Sequence, residues 1–414
     1  MRVLMVNAFD AVAGADRAAR RLQQGLRGAG VDARLLVHFR HGDGRDVICR
    51  DAPMRRLLRR LKLLLGTLPV RRYPNRPVNN FTPALLPDRL AAEVAGLAPD
   101  IVHLHWLGAG FCRIETLARF DRPLVWTLHD SWPFTGGCHM PGDCRKYRER
   151  CGGCPVLGSV RERDLSRWTW HRKQRAWRGL QLTLVAPSHW LADCAKASSL
   201  FRDVRVEVIP NGLDTEKFRP MAKRSAREML GLPQDRPIVL FGAVKALADP
   251  NKGWHLLQPA LRIVGRSLPN SLAVVFGAAA PAIMPDVGME AVFLGRLRKE
   301  ASLIAAYSAA DVFVAPSLQE TFCQTATEAM ACGTPVVAFG ATGLLDVVEH
   351  RACGYLAQPY DVEDLARGIS WVLEDRSRHA GLSLRARQKV EESFSLDKVA
   401  EHYISIYHEL KAMS

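Results

Sequence analysis

Apolar residues in this chain fall mostly in short unbroken runs. "RVLMVNAF" (2–9), "DARLLVHF" (32–39), "DIVHLHW" (100–106) and "PLVWTLHD" (123–130) are β-rich, and helix-length stretches separate them; one of these, "ADRAARRLQQGLRGAG", follows the Gly14 turn and closes at Gly30. Runs apolar at successive positions suit strands covered on both faces, and their alternation with helices marks βαβ units and a parallel sheet. The pattern then restarts. "RVEVIPNGLD" (205–214) carries Pro210, Asn211 and Gly212, a turn cluster that reads as a linker. Beyond it come "PIVLFGAV", "SLAVVFGA", "AVFLGRL", "DVFVAPS" and "TPVVAFG", again alternating with helical stretches. The expected fold class is α/β, with two doubly wound domains and a central cleft between them as the default ligand site.

Length agrees with two domains, since 414 residues at 48% hydrophobic exceed a comfortable single core. The N-terminus offers a five-residue apolar run, too short for a signal peptide. No stretch approaches the roughly 18 apolar residues of a membrane span. A cytoplasmic location is expected, where the ten cysteines would be thiols and clustered ones would sooner ligate metal than form disulfides. Charge is asymmetric: residues 1–200 hold 33 Lys and Arg against 17 Asp and Glu, whereas 201–414 hold 24 against 25. The first half thus calls for an acidic partner, nucleic acid or an anionic membrane.

In "QETFCQTATEAMACGTPVVAF" (319–339), Glu320 and Glu328 stand eight positions apart. "LQETF" follows the strand-like "DVFVAPS", at the carboxyl end where open α/β sheets bind ligands, and "CQTATEAMAC" reads as the start of a helix. A helix N-terminus offers unpaired N–H groups to phosphate. Eight helical residues advance about 12 Å, so the two carboxylates would touch different parts of one elongated ligand. The plainer alternative is a solvated glutamate at each position.

This segment, "AADVFVAPSLQETFCQTATEAMACGTPVVAFGATGLLDVV", resembles the E-x7-E donor-binding segment of glycosyltransferase family four, whose members are retaining enzymes of the GT-B fold, two Rossmann-like domains facing a cleft. "LVAPSHWLADC" with "VEVIPNGLDTEKFRP" is similar to that family's domain crossover, "DPNKGWHLL" to its Lys-Gly element, and "FSLDKVAEHYISIYHEL" to its last helix, which crosses back to the first domain. The resemblance implies an acceptor-binding domain over 1–205, a nucleotide-sugar domain over 206–390, and a returning helix over 391–414.

It also implies roles. Glu320 would bond the donor sugar's hydroxyls near the reacting carbon, Glu328 the ribose, and Lys252 the diphosphate; carboxylates suit the first two because hydroxyls donate to them. Thr321, Phe322, Cys323, Gly295 and Arg296 complete the donor set in the second half. Two departures stand out: Ala243 follows Gly242 where the family carries a phosphate-binding Arg, leaving Lys245 as the candidate for that charge, and Thr321 and Cys323 replace the glycines of Glu-Gly-Phe-Gly. In the first half, His129 matches the family's histidine facing the reacting sugar, Asp130 would act as a base or orient it, and Gly14 and Ala15 match the loop after the first strand. A structural role is the alternative for His129, and a surface lysine for Lys252.

Next to His129 lies "SWPFTGGCHMPGDCRKYRERCGGCPVLG". Its Cys138, Cys144, Cys151 and Cys154 would close a tetrahedral structural zinc site, with free thiols and redox chemistry as alternatives. Catalysis itself calls for no metal. In "APMRRLLRRLKLLLGTLPVRRYPNRP", Met54, Leu57, Leu58, Leu61, Leu64, Leu65 and Leu68 recur at helical spacing, with Arg55, Arg56, Arg59, Arg60 and Lys62 opposite. Such a helix, 54–68, suits an anionic membrane surface, or else packs in a core with a solvated basic face.

The expectation is a hexosyltransferase using a UDP- or GDP-sugar, acting on a glycan or polyprenyl-diphosphate-linked acceptor in cell-surface polysaccharide synthesis, peripheral on the inner face of the cytoplasmic membrane. A zinc-containing nucleic-acid-binding protein is the rival from another class. It fits less well because the basic residues interleave with leucine rather than with stacking aromatics, so no nucleic-acid partner is expected. A sugar-nucleotide epimerase of the same fold and a glycosidase are further rivals; a hydrolytic carboxylate pair would stand about 5–10 Å apart.

Overall fold

The structure, a computed structural model, describes residues 1–42, 44, 46–49, 53–76 and 81–413, without the side chains of 53–60. Among the described residues, thirteen strands make two all-parallel sheets. The first contains β1 (Arg2–Phe9), β2 (Asp32–Phe39), β3 (Val47–Ile48), β4 (Ile101–Leu104), β5 (Leu124–Thr127), β6 (Leu182–Ala186) and β7 (Arg205–Val208), in the order β3-β2-β1-β4-β5-β6-β7. The second contains β8 (Ile238–Gly242), β9 (Leu272–Phe276), β10 (Glu290–Phe293), β11 (Val312–Ala315), β12 (Val336–Phe339) and β13 (Gly354–Ala357), in the order β10-β9-β8-β11-β12-β13. Strand order reverses direction between β1 and β4 in one sheet and between β8 and β11 in the other. Ligands of doubly wound folds bind at the carboxyl ends of such strand pairs.

Burial on both faces explains the unbroken apolar runs. In β1, Leu4 and Val6 join Trp126 and Leu184 in the core on one face, while Val3 and Met5 meet Leu22 and Leu26 on the other. Register follows suit, Val3 standing opposite Ala33 and Ile101, and Val312 opposite Val239.

The chain divides into two compact units, Met1–Pro210 with Val399–Ser414, and Asn211–Lys398. Residues 205–208, which read as the start of a linker, pair with β6 as β7, because Val206 and Val208 pack on the first unit's core. The last helix, Leu396–Ala412, contributes Val399, Tyr403, Ile406 and Tyr407 to that same unit. Its tyrosines reach polar groups inside: Tyr403 Oη is 2.8 Å from Thr127 Oγ1, and Tyr407 Oη is 2.7 Å from His103 Nδ1.

Helix Pro53–Arg71 forms where the leucine periodicity calls for one. In its described second half Leu61, Leu63, Leu64, Leu65 and Leu68 are exposed, Leu64 by 58%. Leu63 lies off the expected stripe, so the apolar surface is broader than one face. The side chains of Met54, Arg55, Arg56, Leu57, Leu58, Arg59 and Arg60 lie outside the described residues. Among the described residues no helix is long and apolar enough to cross a membrane.

Candidate functional site

In the second unit the chemistry gathers at the carboxyl ends of β8 and β11. After β8, Lys245 sits exposed in a turn, and the 3-10 turn Pro250–Lys252 follows, capped by Asp249. Gly253 closes this turn at φ 72°, and a Cβ there would run into the Pro316 carbonyl oxygen beyond β11. Only glycine allows that approach. It brings Asn251 against the loop after β11, where its Oδ1 accepts from Gln319 N at 3.1 Å and its Nδ2 donates to Gln319 O at 2.8 Å. The neighbouring Lys252 Nζ consequently lands 2.6 Å from Glu320 Oε1. Burial disfavours the ammonium, but the Glu320 carboxylate outweighs it and raises the Lys252 pKa.

Glu320 is bracketed on its other side: its N–H donates to Thr342 Oγ1 at 3.1 Å, and its carbonyl accepts from Gly343 N at 2.9 Å. It precedes the helix rather than beginning it, because Cys323 takes a left-handed φ of 74° as N-cap and the helix runs from Gln324 to Ala331. Burial, then the charge of Glu320, pushes the Cys323 thiol up to about 12, so it is neutral. Glu328 lies within that helix, fully buried, and accepts from Tyr307 Oη at 2.8 Å. Thr321 is half-buried, while the Phe322 ring packs edge-on to Phe394 in the core. Gly295 and Arg296 follow β10, at the sheet's edge and two strands from β8.

In the first unit the polar groups collect beyond β1, β4 and β5. Gly14 opens helix Gly14–Gly28, and two amides just before it, Val12 and Ala13, donate to Asp16 Oδ2 at 3.0 and 2.7 Å. Asn7 holds the other Asp16 oxygen at 2.8 Å. Half-buried Gly14 and Ala15 thus follow a loop whose preceding N–H groups already bond the Asp16 side chain. His105, where the chain leaves β4, is hydrogen-bonded through Nδ1 to His129 Nε2 at 2.9 Å. Burial, partly opposed by the charge of Asp130, lowers the His129 pKa to about 4, so the ring is neutral near pH 7. Asp130 is engaged elsewhere: it accepts from Trp132 N, Trp106 Nε1 and His139 Nδ1 at 2.8, 2.8 and 2.7 Å. Burial opposes its charge, but His139 and these donors hold its pKa below the usual value, which makes it an anchored anion beside His129.

None of the ten cysteines is in a disulfide. Cys138, Cys144, Cys151 and Cys154 line one small cavity with Lys146 and Tyr147. Burial raises three of these thiols, Cys138 well above the ordinary range, Cys151 to about 12, and Cys154 in the same direction. Among the described residues, no three His, Cys, Asp or Glu are already set to hold a metal ion.

Asn251, Thr342, His105 and His139 carry these sites yet escaped the sequence reading. The alternation "HLH" and the Asn within "DPNKG" were the available signals.

Two parallel doubly wound sheets, each with polar groups at the strand pair where its order reverses, make this a GT-B glycosyltransferase fold. Solved structures agree: sucrose-phosphate synthase from Thermosynechococcus elongatus superposes with a TM-score of 0.70 at 21% identity over all of both chains. Anabaena HepE in complex with UDP-glucose superposes with 0.66 at 20%, over 99% of this chain and 100% of that one. Residues 12–217 match the model for Glycosyltransferase Family 4, and 222–389 that for Glycosyl transferases group 1. The D-inositol 3-phosphate glycosyltransferase of Thermobispora bispora is 32% identical over 77% of this chain and 74% of its own length. That of Xylanimonas cellulosilytica is 29% identical over 81% and 80%. The chain therefore belongs to glycosyltransferase family 4.

Proposed function

We propose that the protein is a retaining hexosyltransferase that moves a hexose from a UDP- or GDP-sugar to a hydroxyl of a glycan or polyprenyl-diphosphate-linked acceptor. The observation that carries this reading is the Lys252–Glu320 pair at the carboxyl ends of β8 and β11. Without donor each group neutralises the other. A diphosphate brings more negative charge than one carboxylate, so it takes the ammonium and frees Glu320 to accept from sugar hydroxyls. As the bond from the anomeric carbon to the diphosphate breaks, charge builds on the departing oxygen, and Lys252 stabilises it more than it stabilises the intact donor. The acceptor oxygen bonds to the same face of that carbon and its proton passes to the departing phosphate. No enzyme nucleophile takes part in this route. His129, neutral near pH 7, offers the sugar a ring whose orientation His105 sets. Glu328 serves the ribose, and its full burial and bond from Tyr307 Oη call for local rearrangement when the nucleotide binds.

HepE's complex with UDP-glucose favours a uridine nucleotide. The exposed leucines of helix Pro53–Arg71, next to the basic positions before them, support work at an anionic membrane, where a polyprenyl-linked acceptor would reside. The relatives named for D-inositol 3-phosphate give a second acceptor reading, a soluble polyol phosphate. A thermal-shift screen over UDP- and GDP-sugars, followed by transfer assays with both acceptor types, tests the proposal. A donor-induced shift that Lys252→Ala abolishes is expected; indifference to every nucleotide sugar would refute it.

A further inference from the structure

The four cysteines of residues 138–154 line one cavity, and the turns that carry them are fixed from several sides. Gly136 N donates to Cys151 Sγ at 3.1 Å. Cys154 N donates to Asp164 Oδ2 at 2.9 Å, and Cys154 O accepts from Leu157 N at 3.1 Å and Ser159 N at 3.0 Å. Between the last two cysteines stand Gly152 and Gly153, both at positive φ (126° and 51°), where a Cβ on Gly152 would strike the Glu162 carbonyl. A Cys-Gly-Gly-Cys turn, with one of its sulfurs already accepting a backbone N–H, is the form metal knuckles take. Charge fits as well. A divalent ion with four thiolates carries a net charge of about −2; Lys146 lines the cavity, and Lys173 is buried beside it, donating to Thr135 O at 3.0 Å and to Trp132 O.

We propose that Cys138, Cys144, Cys151 and Cys154 bind one zinc ion as thiolates, and that this ion is the staple of the loop that sets His139 on Asp130. Binding exchanges four thiol protons, released to solvent, for the ion, with no redox step. The sulfurs surround the cavity without a ready-made ligand group, so they close inward on the ion, to Zn–S distances of about 2.3 Å. Cys144, less buried than the other three, has the most room to move. The second half of the proposal follows from chain connection. Cys138 immediately precedes His139, whose Nδ1 meets Asp130 Oδ2 at 2.7 Å and whose Nε2 meets Thr82 Oγ1 at 2.8 Å. Gly137 O accepts from Thr82 N at 2.8 Å, and Ser131 N donates to His139 O at 2.9 Å. The loop from Ser131 to His139 is thus stitched shut at the active-site end and held by sulfur at the other.

The test uses the whole chain, purified reduced. Elemental analysis should find about one equivalent of zinc. Replacement by cobalt should give intense thiolate-to-metal charge-transfer absorption and the visible bands of a tetrahedral site. Cys144→Ser, the milder variant, and Cys154→Ser should each lose the ion or the four-sulfur spectrum. Chelation of the wild type should lower its unfolding temperature and raise amide exchange over residues 131–139, whereas His139→Gln should keep its zinc. Zinc-free protein with four alkylatable thiols, a disulfide between any two of them, or iron in place of zinc would overturn the site. Unchanged exchange at 131–139 after the metal is removed would overturn its link to His139.

Discussion

Lowering the pH from 7 to 5 should destabilise the first unit far more than the second. Its core encloses three neutral histidines. Burial, and then His129, lowers the His103 pKa to about 3; burial lowers His129 to about 4 against the pull of Asp130; burial, then His103 and His129, holds His105 well below its usual value. The groups around them are hydroxyls, Thr127, Tyr403 and Tyr407, and the anchored Asp130. An unfolded histidine titrates near 6.5, so between that value and the folded one the unfolded chain binds protons that the native chain cannot. The stabilising difference is therefore complete above about pH 6.5 and drains away as pH falls toward the folded values. Each fully buried ring gives up about 2 kcal/mol between pH 7 and 5, and the three together about 6 kcal/mol. That is comparable with the whole stability of many domains, about 5–15 kcal/mol. Urea unfolding followed by tryptophan fluorescence reads it directly, because seven of the nine tryptophans lie in the first unit. His103→Gln, which can still hydrogen-bond but cannot titrate, should flatten the pH slope by one histidine's share. Equal urea midpoints at pH 7 and 5, or a wild-type slope in that variant, would refute the reasoning.

At Cys323 a left-handed backbone under a side chain costs about 1–3 kcal/mol, so Cys323→Gly should stay within about 1 kcal/mol of wild type, while Cys323→Val should be clearly destabilised in thermal melts. Equal melting of the two would show that the loop relaxes. Glu328→Ala should weaken nucleoside diphosphate binding by about 1.5–3 kcal/mol, whereas Glu320→Ala should spare it and depress turnover; calorimetry showing equal losses in both would collapse that division. The protein should sediment with vesicles containing phosphatidylglycerol and less with neutral ones, and changing Arg55, Arg56, Arg59 and Arg60 to Gln should release it, as should salt. Co-sedimentation unchanged by either would return the exposed leucines to a role within the fold.

Much of the architecture was legible because parallel strands are covered on both faces, so "RVLMVNAF" and "DVFVAPS" announce themselves without their partners. The placement of Lys252 and Glu320 beyond the strands of one sheet was legible for a related reason, although their ion pair was not. Lys252 and Glu320 each follow a strand, and strand exits are where such sheets work. What stayed hidden depends on strand order and on distant contacts. His105 becomes a partner of His129 only because β4 lies beside β5, and Thr82 reaches His139 across 57 positions. Tyr407 answers His103 across 304. The start of the helix carrying Glu328 was legible at Cys323, but the left-handed conformation of that residue leaves no mark in the sequence, so the eight positions from Glu320 to Glu328 are not all helical.

Because the chain leaves the first unit after Pro210 and returns to it only at Val399, the second unit is, topologically, an insertion. Synthesis makes that order matter. When Pro210 emerges from the ribosome, β1 to β7 are present but Tyr403 and Tyr407 are not, and His103 and Thr127 lack their partners from the last helix. At about 5–20 residues per second, the roughly 190 residues from Pro210 to Val399 take about 10–40 s to be made, and throughout that time the first unit waits for its last helix while the second is completed. The first unit is closed only when the last helix, with Val399, Tyr403, Ile406 and Tyr407, reaches its core. A chain ending at Lys398 should carry a finished second unit tethered to an unfinished first one, which limited proteolysis would reveal as selective loss of the first unit.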